Sequence, residues 1–396
     1  MQTGAPPTAR ILASNQAVGP LFRELAEALC EAGMDVLLLA GSVDAPSDHS
    51  PPYRRLQGCP LEKTPARRRI ATWARYTWQA FRAMACHRRR LAFLVTNPPL
   101  VPWVAPLAKA LLGVRYGLLI YDIYPDVLVR AGMIRRNGLI DRALRRLSAA
   151  ALTRAKFVIT LGDRMAETLR RHLGGRDDVP IHVIPNWANT RAIRPLDKAD
   201  NPFAAEHGLL GKFVVMYSGA FSDSHDLRSI VEAAELLREE PDVEFILIGE
   251  GPQKQNVIDW LAGKDLPNCR LLPWQPLDAI RHSLAAADVQ IVSMGAGSEG
   301  TIVPSKTYPA LAAGAALGVI SPPGTEIAVL PAEEKCGFAV RPGAPEALAE
   351  EIQRLRRDPA RLSRCKANAR RAAVETYDVY PCTRRYIEII RDALKA

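Results

Sequence analysis

Short apolar runs alternate with longer segments of helical period along the whole chain. The runs have the length of buried strands, so the alternation is typical of a parallel α/β fold. In the first half the predicted strands are Arg10–Ser14, Asp35–Ala40, Leu91–Thr96, Tyr116–Asp122, Phe157–Leu161 and Ile181–Ile184. In the second half they are Phe213–Ser218, Val243–Ile248, Cys269–Leu272, Val289–Val292, Leu317–Ser321 and Gly337–Val340.

The alternation restarts after an irregular, proline-rich connector that runs from Pro185 to Pro202. A chain of 396 residues is expected to form two domains rather than one. We predict two Rossmann-like domains, residues 1–192 and 193–375, facing each other across a cleft, and a C-terminal helix in 376–396 that returns to the first domain. The helices predicted in the second half are 226–239, 252–262, 277–286, 345–357 and Pro381–Leu394.

Positive charge is concentrated in the first half. Residues 1–192 carry a net charge of +14 and residues 193–396 a net charge of −4. This asymmetry predicts an anionic partner for the first half, such as lipid head groups, a polyphosphate-bearing substrate or nucleic acid. The seven cysteines show no metal-binding spacing and favour a reducing compartment. No signal peptide or membrane span is recognisable, so we expect a soluble or peripheral cytoplasmic protein.

Residues 66–90 combine clustered arginines with aromatic residues at helical spacing. A basic helix of this kind suits the interface of an anionic membrane. The alternative is a helix that packs its aromatic stripe on its own sheet and leaves the arginines in water. No nucleic-acid-binding pattern accompanies the arginines, so no nucleic-acid partner is predicted. The residues predicted to contact a membrane are Arg67, Arg68, Arg69, Trp73 and Trp78.

Two residues follow predicted strands of the first half, at the edge where open α/β sheets bind ligands. Gly19 lies in the first turn, where a glycine lets a ligand approach the backbone, although a plain turn glycine is the alternative. Asp122 ends the strand that begins at Tyr116, and the alternative role for its carboxylate is to cap the next helix.

The stretch from Ser293 to Gly314 reads as a strand, a glycine-rich turn and a helix. Ser305 is predicted as the N-cap, and the free N–H groups beyond it, with Lys306, favour an anion such as a phosphate. Glu299 precedes them, where a carboxylate accepts hydrogen bonds from sugar hydroxyls. A phosphorylated sugar therefore fits this stretch, although a plain loop with a solvated Glu and Lys is the alternative.

Several catalytic motifs are absent: GxxxxGK[ST], HExxH, GxSxG and an Asp-x-Asp pair. Gly249-Glu-Gly251 resembles half a dinucleotide fingerprint, but Lys254 replaces its third glycine. We therefore predict that no metal is required, and that a helix dipole and side chains stabilise charge on a leaving phosphate.

An ordered set of motifs resembles glycosyltransferase family 4, whose members are retaining, nucleotide-sugar-dependent enzymes of the GT-B fold. The similar subgroup has a Pro-Ser-Lys signature and builds O-antigen, capsule or exopolysaccharide units on a polyprenyl-diphosphate lipid. Val183-Ile-Pro-Asn186 and Asp122-Ile-Tyr-Pro-Asp126 resemble that subgroup as well. The other motifs are Met216-Tyr-Ser-Gly219, His225-Asp226-Leu, Ile248-Gly-Glu-Gly251-Pro, Leu272-Pro-Trp274-Gln-Pro276 and Glu299-Gly-Thr-Ile-Val-Pro-Ser-Lys306-Thr-Tyr.

The resemblance implies a role for each matching residue. Glu299 contacts the donor sugar, and Asp122 and His225 join it as catalytic candidates, Asp122 by orienting the acceptor hydroxyl and His225 by donating to phosphate. The residues implied to bind the donor are Gly19, Gly219, Gly249, Glu250, Trp274, Gln275, Gly300, Thr301, Ile302, Val303, Ser305 and Lys306.

The chain departs from the family pattern at three positions. Pro309 replaces the second glutamate, which holds the ribose, and Ala220 and His225 replace an Arg and a Lys that grip the diphosphate. Phosphate binding is thus expected to depend on Lys306, His225 and the helix N-terminus.

The resemblance implies transfer of a sugar, with a UDP-sugar as the expected co-substrate, to a lipid-linked acceptor at the inner face of the cytoplasmic membrane. Two other functions remain open. One is an isomerase such as a nucleotide-sugar 2-epimerase, and the other is a non-catalytic membrane-docking subunit of a transferase complex.

Overall fold

The computed structural model describes residues 9–45, 50–62, 64–176, 178–276 and 278–395, so Leu277, the predicted start of one helix, lies outside them. The chain forms two compact α/β units. The first comprises Met1–Pro185, Gly300–Ile302 and Val379–Ala396, and the second comprises Asn186–Glu299 and Val303–Asp378. The chain thus passes from the first unit to the second at Pro185, where the predicted connector begins.

The first unit is built on a parallel sheet with the strand order β5-β3-β1-β6-β7-β8-β9, and β2 pairs with β4 beside it. The strands are β1 (Arg10–Ser14), β2 (Ala17–Val18), β3 (Asp35–Ala40), β4 (Ser42–Val43), β5 (Arg54–Gln57), β6 (Leu91–Val95), β7 (Tyr116–Ile120), β8 (Val158–Thr160) and β9 (Ile181–Val183). The helices are α1 (Pro20–Glu31), α2 (Ala66–Cys86), α3 (Leu100–Leu112), α4 (Asp126–Arg130), α5 (Leu139–Arg154) and α6 (Asp163–His172).

The central strands β6 and β7 are buried along their whole length, as expected for a sheet covered by helices on both faces. Gly117 in β7 makes room for Phe157, because a Cβ there would lie 2.2 Å from the Phe157 ring. On one face α3 packs between α2 and α5. The strand order reverses between β1 and β6, which is where open parallel sheets bind ligands.

The second unit repeats this plan with a six-stranded parallel sheet in the order β12-β11-β10-β13-β14-β15. Its strands are β10 (Phe213–Ser218), β11 (Val243–Ile248), β12 (Cys269–Leu272), β13 (Val289–Ser293), β14 (Ala316–Ile320) and β15 (Gly337–Val340). Its helices are α7 (Pro202–Glu206), α8 (Arg228–Leu236), α9 (Lys254–Ala262), α10 (Ile280–Ala285), α11 (Thr307–Ala312), α12 (Glu326–Glu333), α13 (Pro345–Arg357) and α14 (Pro359–Glu375). The reversal falls between β10 and β13.

The last helix, α15 (Val379–Lys395), belongs to the first unit and packs against α1. It buries Tyr386 and Ile390, and the Tyr386 ring meets Phe93 of β6 edge-on with their centroids 6.4 Å apart. The prediction that the C-terminal helix returns to the first domain is therefore confirmed. Across the described part of the chain, no helix is both long and apolar enough to cross a bilayer.

Candidate functional site

Glycines bring the loops after β10 and β11 into direct backbone contact in the second unit. A Cβ on Gly249 would lie 2.0 Å from the carbonyl oxygen of Gly219, and one on Gly251 would lie 2.5 Å from that of Phe221. The Phe221 amide donates to the carbonyl of Glu250 at 2.8 Å. These glycines are thus required by the packing of the two loops, whatever else they bind.

Lys306 lies directly over Gly219. A Cβ on Gly219, whose φ is +154°, would come within 2.6 Å of the lysine Nζ. The Nζ donates to the Tyr217 hydroxyl and lies 4.1 Å from the centroid of the Tyr217 ring. Burial lowers the pKa of Lys306 from 10.5 to about 7, because a buried ammonium loses its hydration. The predicted phosphate ligand is thus buried against an aromatic face, with no carboxylate among the causes of its pKa shift.

Tyr217 connects Lys306 to His225. The Tyr217 hydroxyl lies 3.1 Å from His225 Nδ1, and both groups contact the carbonyl oxygen of Ala220, at 2.8 and 3.0 Å. The His225 ring is therefore held by the loop that begins at Gly219. Tyr217 stands inside the Met216-Tyr-Ser-Gly219 motif, but sequence reasoning did not select it. The resemblance to the family implies no ligand-binding role for its side chain.

A cavity with about 630 Å³ of empty space opens beside Lys306. Trp274 and Gln275, the candidates for contact with a nucleobase, form part of its wall, and Trp274 is 52% exposed. The described residues that line it are Ser218, Gly219, Ile248, Trp274, Gln275, Ile280, Leu284, Gln290, Ile291, Val292, Lys306 and Pro309.

Glu250 is a surface residue and does not line this cavity. Its carboxylate pairs with Lys254 one helical turn later, at 2.6 Å. The ion pair engages one carboxylate oxygen of the side chain that was predicted to bind the donor.

The loop after β13 differs from the prediction at Ser305. The helix begins at Thr307, Lys306 stands at the N-cap position, and no side chain caps the helix. Ser305 is exposed, and the Thr307 hydroxyl turns back to the carbonyl of Pro304 at 2.9 Å. Ser305 is therefore not the N-cap, because residues 305–306 form a turn that delays the helix. Glu299 is exposed and Val303 is buried in the same loop.

Residues Gly300–Ile302 belong to the first unit. Gly300 has a φ of +62°, and a Cβ there would lie 2.6 Å from the hydroxyl of Thr168. Arg130 Nη1 donates to the Thr301 hydroxyl at 2.9 Å, and the Ile123 amide donates to the Thr301 carbonyl at 3.2 Å. Arg130 was not selected from the sequence, because a single arginine in a basic half carries no distinguishing signal.

Asp122 follows β7 and lines a second, much smaller cavity within the first unit. Burial in these largely apolar surroundings raises the pKa of its carboxyl from 3.8 to about 6, although the nearby Arg130 opposes the shift. The alternative that Asp122 caps a helix is wrong, because α4 begins at Asp126 with Pro125 at its N-cap position. A carboxyl that titrates near neutral pH at a ligand-binding edge is typical of functional groups.

The neighbouring Asp126 has a structural role. Burial alone would raise its pKa, but hydrogen bonds from His172 and Arg145, at 2.9 and 3.0 Å, lower it to about 2. Burial raises the pKa of Asp122, whereas His172 and Arg145 lower that of Asp126, so of the two carboxyls only Asp122 has a pKa near neutrality.

Gly19 stands at the N-cap position of α1, with a φ of −87° that any residue can adopt. A Cβ there would meet no described atom within 4 Å. The open space beside Gly19 is compatible with a close approach by a ligand, and its N-cap position is equally compatible with the alternative of a plain turn glycine.

The predicted membrane residues lie on α2 with different surroundings. Tyr76, from the same stripe, is buried and donates to the Leu39 carbonyl at 2.6 Å, so the inner face of the helix packs on the sheet. Arg67 and Arg68 are exposed, whereas the Arg69 guanidinium lies 5.4 Å from the centroid of the Trp73 ring. Trp78 is 61% exposed. The stripe therefore divides between the core and the surface.

Two family models match the chain and together cover most of it. Residues 17–187 match the "Glycosyl transferase 4-like domain", and residues 201–372 match "Glycosyl transferases group 1". The chain belongs to glycosyltransferase family 4. In the described residues, no group of three or more His, Cys, Asp or Glu side chains is arranged to hold a metal ion.

Two curated relatives carry glycosyltransferase names. WbjE of Pseudomonas aeruginosa is 29% identical over 66% of this chain and 64% of its own length, so the match spans less than two thirds of that relative. WcaI of Escherichia coli K12 is 26% identical over 86% of each chain, and its name places it in colanic acid biosynthesis.

Solved structures establish the fold. Sucrose-phosphate synthase from Thermosynechococcus elongatus superposes with a TM-score of 0.77 at 20% identity, over 98% of this chain and 99% of the other. HepE of Anabaena, solved with UDP and glucose, gives a TM-score of 0.72 at 16% identity, over 97% of this chain and 100% of the other. The prediction of a GT-B fold is therefore confirmed.

Proposed function

We propose that this glycosyltransferase moves a sugar, with retention of configuration, from a nucleotide-diphosphate-sugar to a lipid-linked saccharide in bacterial surface polysaccharide synthesis. The acceptor proposed is a polyprenyl-diphosphate saccharide presented at the inner face of the cytoplasmic membrane. The colanic acid role in the name of WcaI supports the polysaccharide assignment, and the UDP bound to HepE supports a UDP-sugar as the donor.

The observation that carries the donor assignment is the position of Lys306 over Gly219 at the wall of the cavity. The cavity is the proposed nucleoside site, and a lysine at its edge supplies the positive charge that a diphosphate requires. Because Lys306 is buried against Tyr217, binding of the diphosphate would restore the charge that burial disfavours. The apolar Pro309 at the same wall leaves the ribose without the carboxylate found elsewhere in the family.

In the proposed reaction the acceptor oxygen forms a bond to the anomeric carbon while the bond from that carbon to the diphosphate breaks. The acceptor proton passes to an oxygen of the departing diphosphate, on the same face of the sugar. Protonated Lys306 stabilises the charge that develops on this leaving group. Glu299 is proposed to hold hydroxyls of the donor sugar, and Asp122 to orient the acceptor hydroxyl.

Replacing Lys306 tests the donor site. Lys306→Ala should weaken binding of UDP by about 1.5–3 kcal/mol, the usual range for a hydrogen bond to a charged group. Isothermal titration calorimetry of the purified chain measures this directly. Lys335→Ala is a matched control, since that lysine is outside the residues that line the cavity. An unchanged dissociation constant for Lys306→Ala would remove Lys306 from the donor site.

A further inference from the structure

Exposed apolar side chains of the first unit are concentrated on one of its helical layers. Among its described residues, eight of the nine large apolar side chains that are strongly exposed lie on α2, α3, α5 or the turn before α5, and the ninth is Tyr380. The eight are Ile70, Trp78, Leu107, Leu111, Met133, Leu139, Ile140 and Leu147.

The most exposed pair stands at the start of α5. Leu139 is 80% exposed and Ile140 is 63% exposed. Adjacent aliphatic side chains held in water lose the free energy that burial would provide, so a patch of this kind marks a contact site.

The backbone of this turn is fixed by buried charges. Asp141 is fully buried, accepts from the amide of Asn137 at 2.8 Å and pairs with Arg145 at 3.0 Å. Arg145 also pairs with Asp126 at 3.0 Å. The exposed pair is thus presented by an anchored turn, and the single acidic residue of segment 131–147 is directed inward.

The exposed charges around the pair are all positive. Arg135, Arg136, Arg142 and Arg146 are exposed, and the described residues include no acidic partner for any of the four. An apolar pair surrounded by cations matches an anionic bilayer, in which acyl chains accept the aliphatic groups and head groups accept the arginines. A second copy of the chain, paired symmetrically through the same patch, would place these arginines against one another.

The topology places this patch at the ligand-binding edge of the sheet. Helices α2 and α5 each connect parallel strands, so both begin at the carboxyl edge of the strands, where Asp122 follows β7. Because α3 packs against both helices, the starts of α2 and α5 lie on one side of this edge.

We propose that Leu139 and Ile140, with the arginines around them, form a membrane-insertion site for the anionic cytoplasmic leaflet, separate from the arginine cluster of α2. The biological purpose of the site rests on the proposed lipid-linked acceptor. Insertion here brings the Asp122 edge to the head-group region, where the sugar of such an acceptor lies.

Vesicle co-sedimentation tests the proposal with the full chain. Wild-type protein should bind vesicles of mixed phosphatidylglycerol and phosphatidylcholine, and not vesicles of phosphatidylcholine alone. The double variant Leu139→Ser, Ile140→Ser should bind the mixed vesicles at least about tenfold more weakly, since burial of one aliphatic side chain changes an equilibrium by about tenfold or more. Each arginine near the surface contributes about fivefold at low salt.

A matched control replaces Leu210 and Leu236 by Ser, because these second-unit leucines are 54% and 52% exposed. Both double variants should melt at the wild-type temperature, and the control should bind vesicles as the wild type does. The triple variant Arg67→Ser, Arg68→Ser, Arg69→Ser should lose only the part of vesicle binding that high salt suppresses. Adding Leu139→Ser and Ile140→Ser to the triple variant should weaken vesicle binding further, because the two sites are separate.

Wild-type vesicle binding by Leu139→Ser, Ile140→Ser would overturn the proposal. A change in the sedimentation coefficient of the free protein on this substitution would also overturn it, in favour of a second copy as the occupant. Calorimetry with UDP in the absence of vesicles tests the proposed donor site independently of the proposed membrane-insertion site. A chain that binds vesicles through this site but binds no nucleotide would contradict the donor site alone.

Discussion

At the scale of single residues, burial moves two ionisable groups toward neutral pH from opposite directions. The pKa of Lys306 falls to about 7 and that of Asp122 rises to about 6. In each case desolvation of the charged form is the leading cause, and neither group is paired with an opposite charge close enough to cancel it. Binding of a charged ligand near either group should therefore change its protonation state near pH 7.

Donor binding should depend on pH through Lys306. The free protein holds this lysine neutral above about pH 7, and a diphosphate binds its protonated form, so affinity should fall as pH rises above 7 by up to about tenfold per pH unit. Calorimetry with UDP-glucose, whose doubly esterified diphosphate does not titrate in this range, measures the effect. Lys306→Arg should bind with little pH dependence, because arginine stays charged. A wild-type affinity that is flat from pH 6 to 9 would contradict the assignment.

The ionised carboxylate of Asp122 should destabilise the folded chain at neutral pH. Because its folded pKa lies above the unfolded value, protonation favours the folded chain, and this contribution is complete below about pH 4 and lost as pH rises through about 6. Asp122→Asn should therefore raise the free energy of unfolding at pH 7 by about 1–3 kcal/mol while glycosyl transfer falls. Urea titrations at pH 4 and pH 7 provide the comparison. An equal difference between variant and wild type at both pH values would show that the carboxyl does not titrate as described.

At the scale of elements, the donor site depends on how closely the loops after β10 and β11 approach. Gly249 allows that approach, because any Cβ there would stand 2.0 Å from the Gly219 carbonyl oxygen. The contact is between backbones, so no rotation of a side chain relieves it. The same loops carry Gly219 beneath Lys306, so loop spacing and anion binding are coupled.

Gly249→Ala should destabilise the second unit by about 1–3 kcal/mol, the usual cost of forcing extra volume into a packed site. It should also weaken nucleotide binding, because the Gly219 loop must move. Gly263→Ala is the control. Its φ is −74° and a Cβ there would lie 3.4 Å from the nearest atom, so its stability should stay within about 0.5 kcal/mol of wild type. Equal urea midpoints for the two variants would show that the loops tolerate the added methyl group.

The elements that sequence reasoning found are those with apolar runs. Strands such as β10 and β11 were predicted to the residue, because every position but one in them is buried and the alternation leaves no ambiguity. The edge strand β5 was missed, because Arg54–Gln57 is polar and largely exposed. The helix α14 was missed as well. The helix after β13 was placed too early, because Ser305 has the composition of a cap while the backbone makes a further turn.

The candidate site residues that sequence reasoning selected are those whose residue type carries the chemistry by itself. Lys306 and Trp274 were selected by motif, and both line one cavity. Tyr217 and Arg130 were not selected, because their importance comes from contacts with Lys306 and Thr301 that are remote in sequence. Spacing along a chain does not record such contacts, so only the folded structure shows them.

At the scale of the whole molecule, the first unit is completed by a helix that follows the second unit in the chain. Helix α15 buries Tyr386, and Arg391 donates to the carbonyl of Ala32 at 2.9 Å. The second unit has its own sheet and core between these two parts of the chain.

A chain that ends at Asp378 should therefore lose protection in the first unit only. Hydrogen–deuterium exchange should show faster exchange of the amides of β6 and β1, whereas β10 and β11 keep their wild-type protection. The substitution Tyr386→Ala should also destabilise the first unit, but less than removal of the helix does. The free energy of unfolding should fall by about 3–5 kcal/mol, the usual loss for truncating a buried aromatic side chain. Equal loss of protection in both units would show that they unfold together.

The position of α15 in the sequence also determines the order in which the two units fold during synthesis on the ribosome. The strands of the first unit leave the exit tunnel early, but the helix that packs against this unit is synthesised only after the whole second unit. The second unit can close its core while the first still exposes apolar surface, so the segment made earliest is the last to finish folding. A nascent chain of this design is exposed to aggregation and to chaperones until α15 has left the exit tunnel.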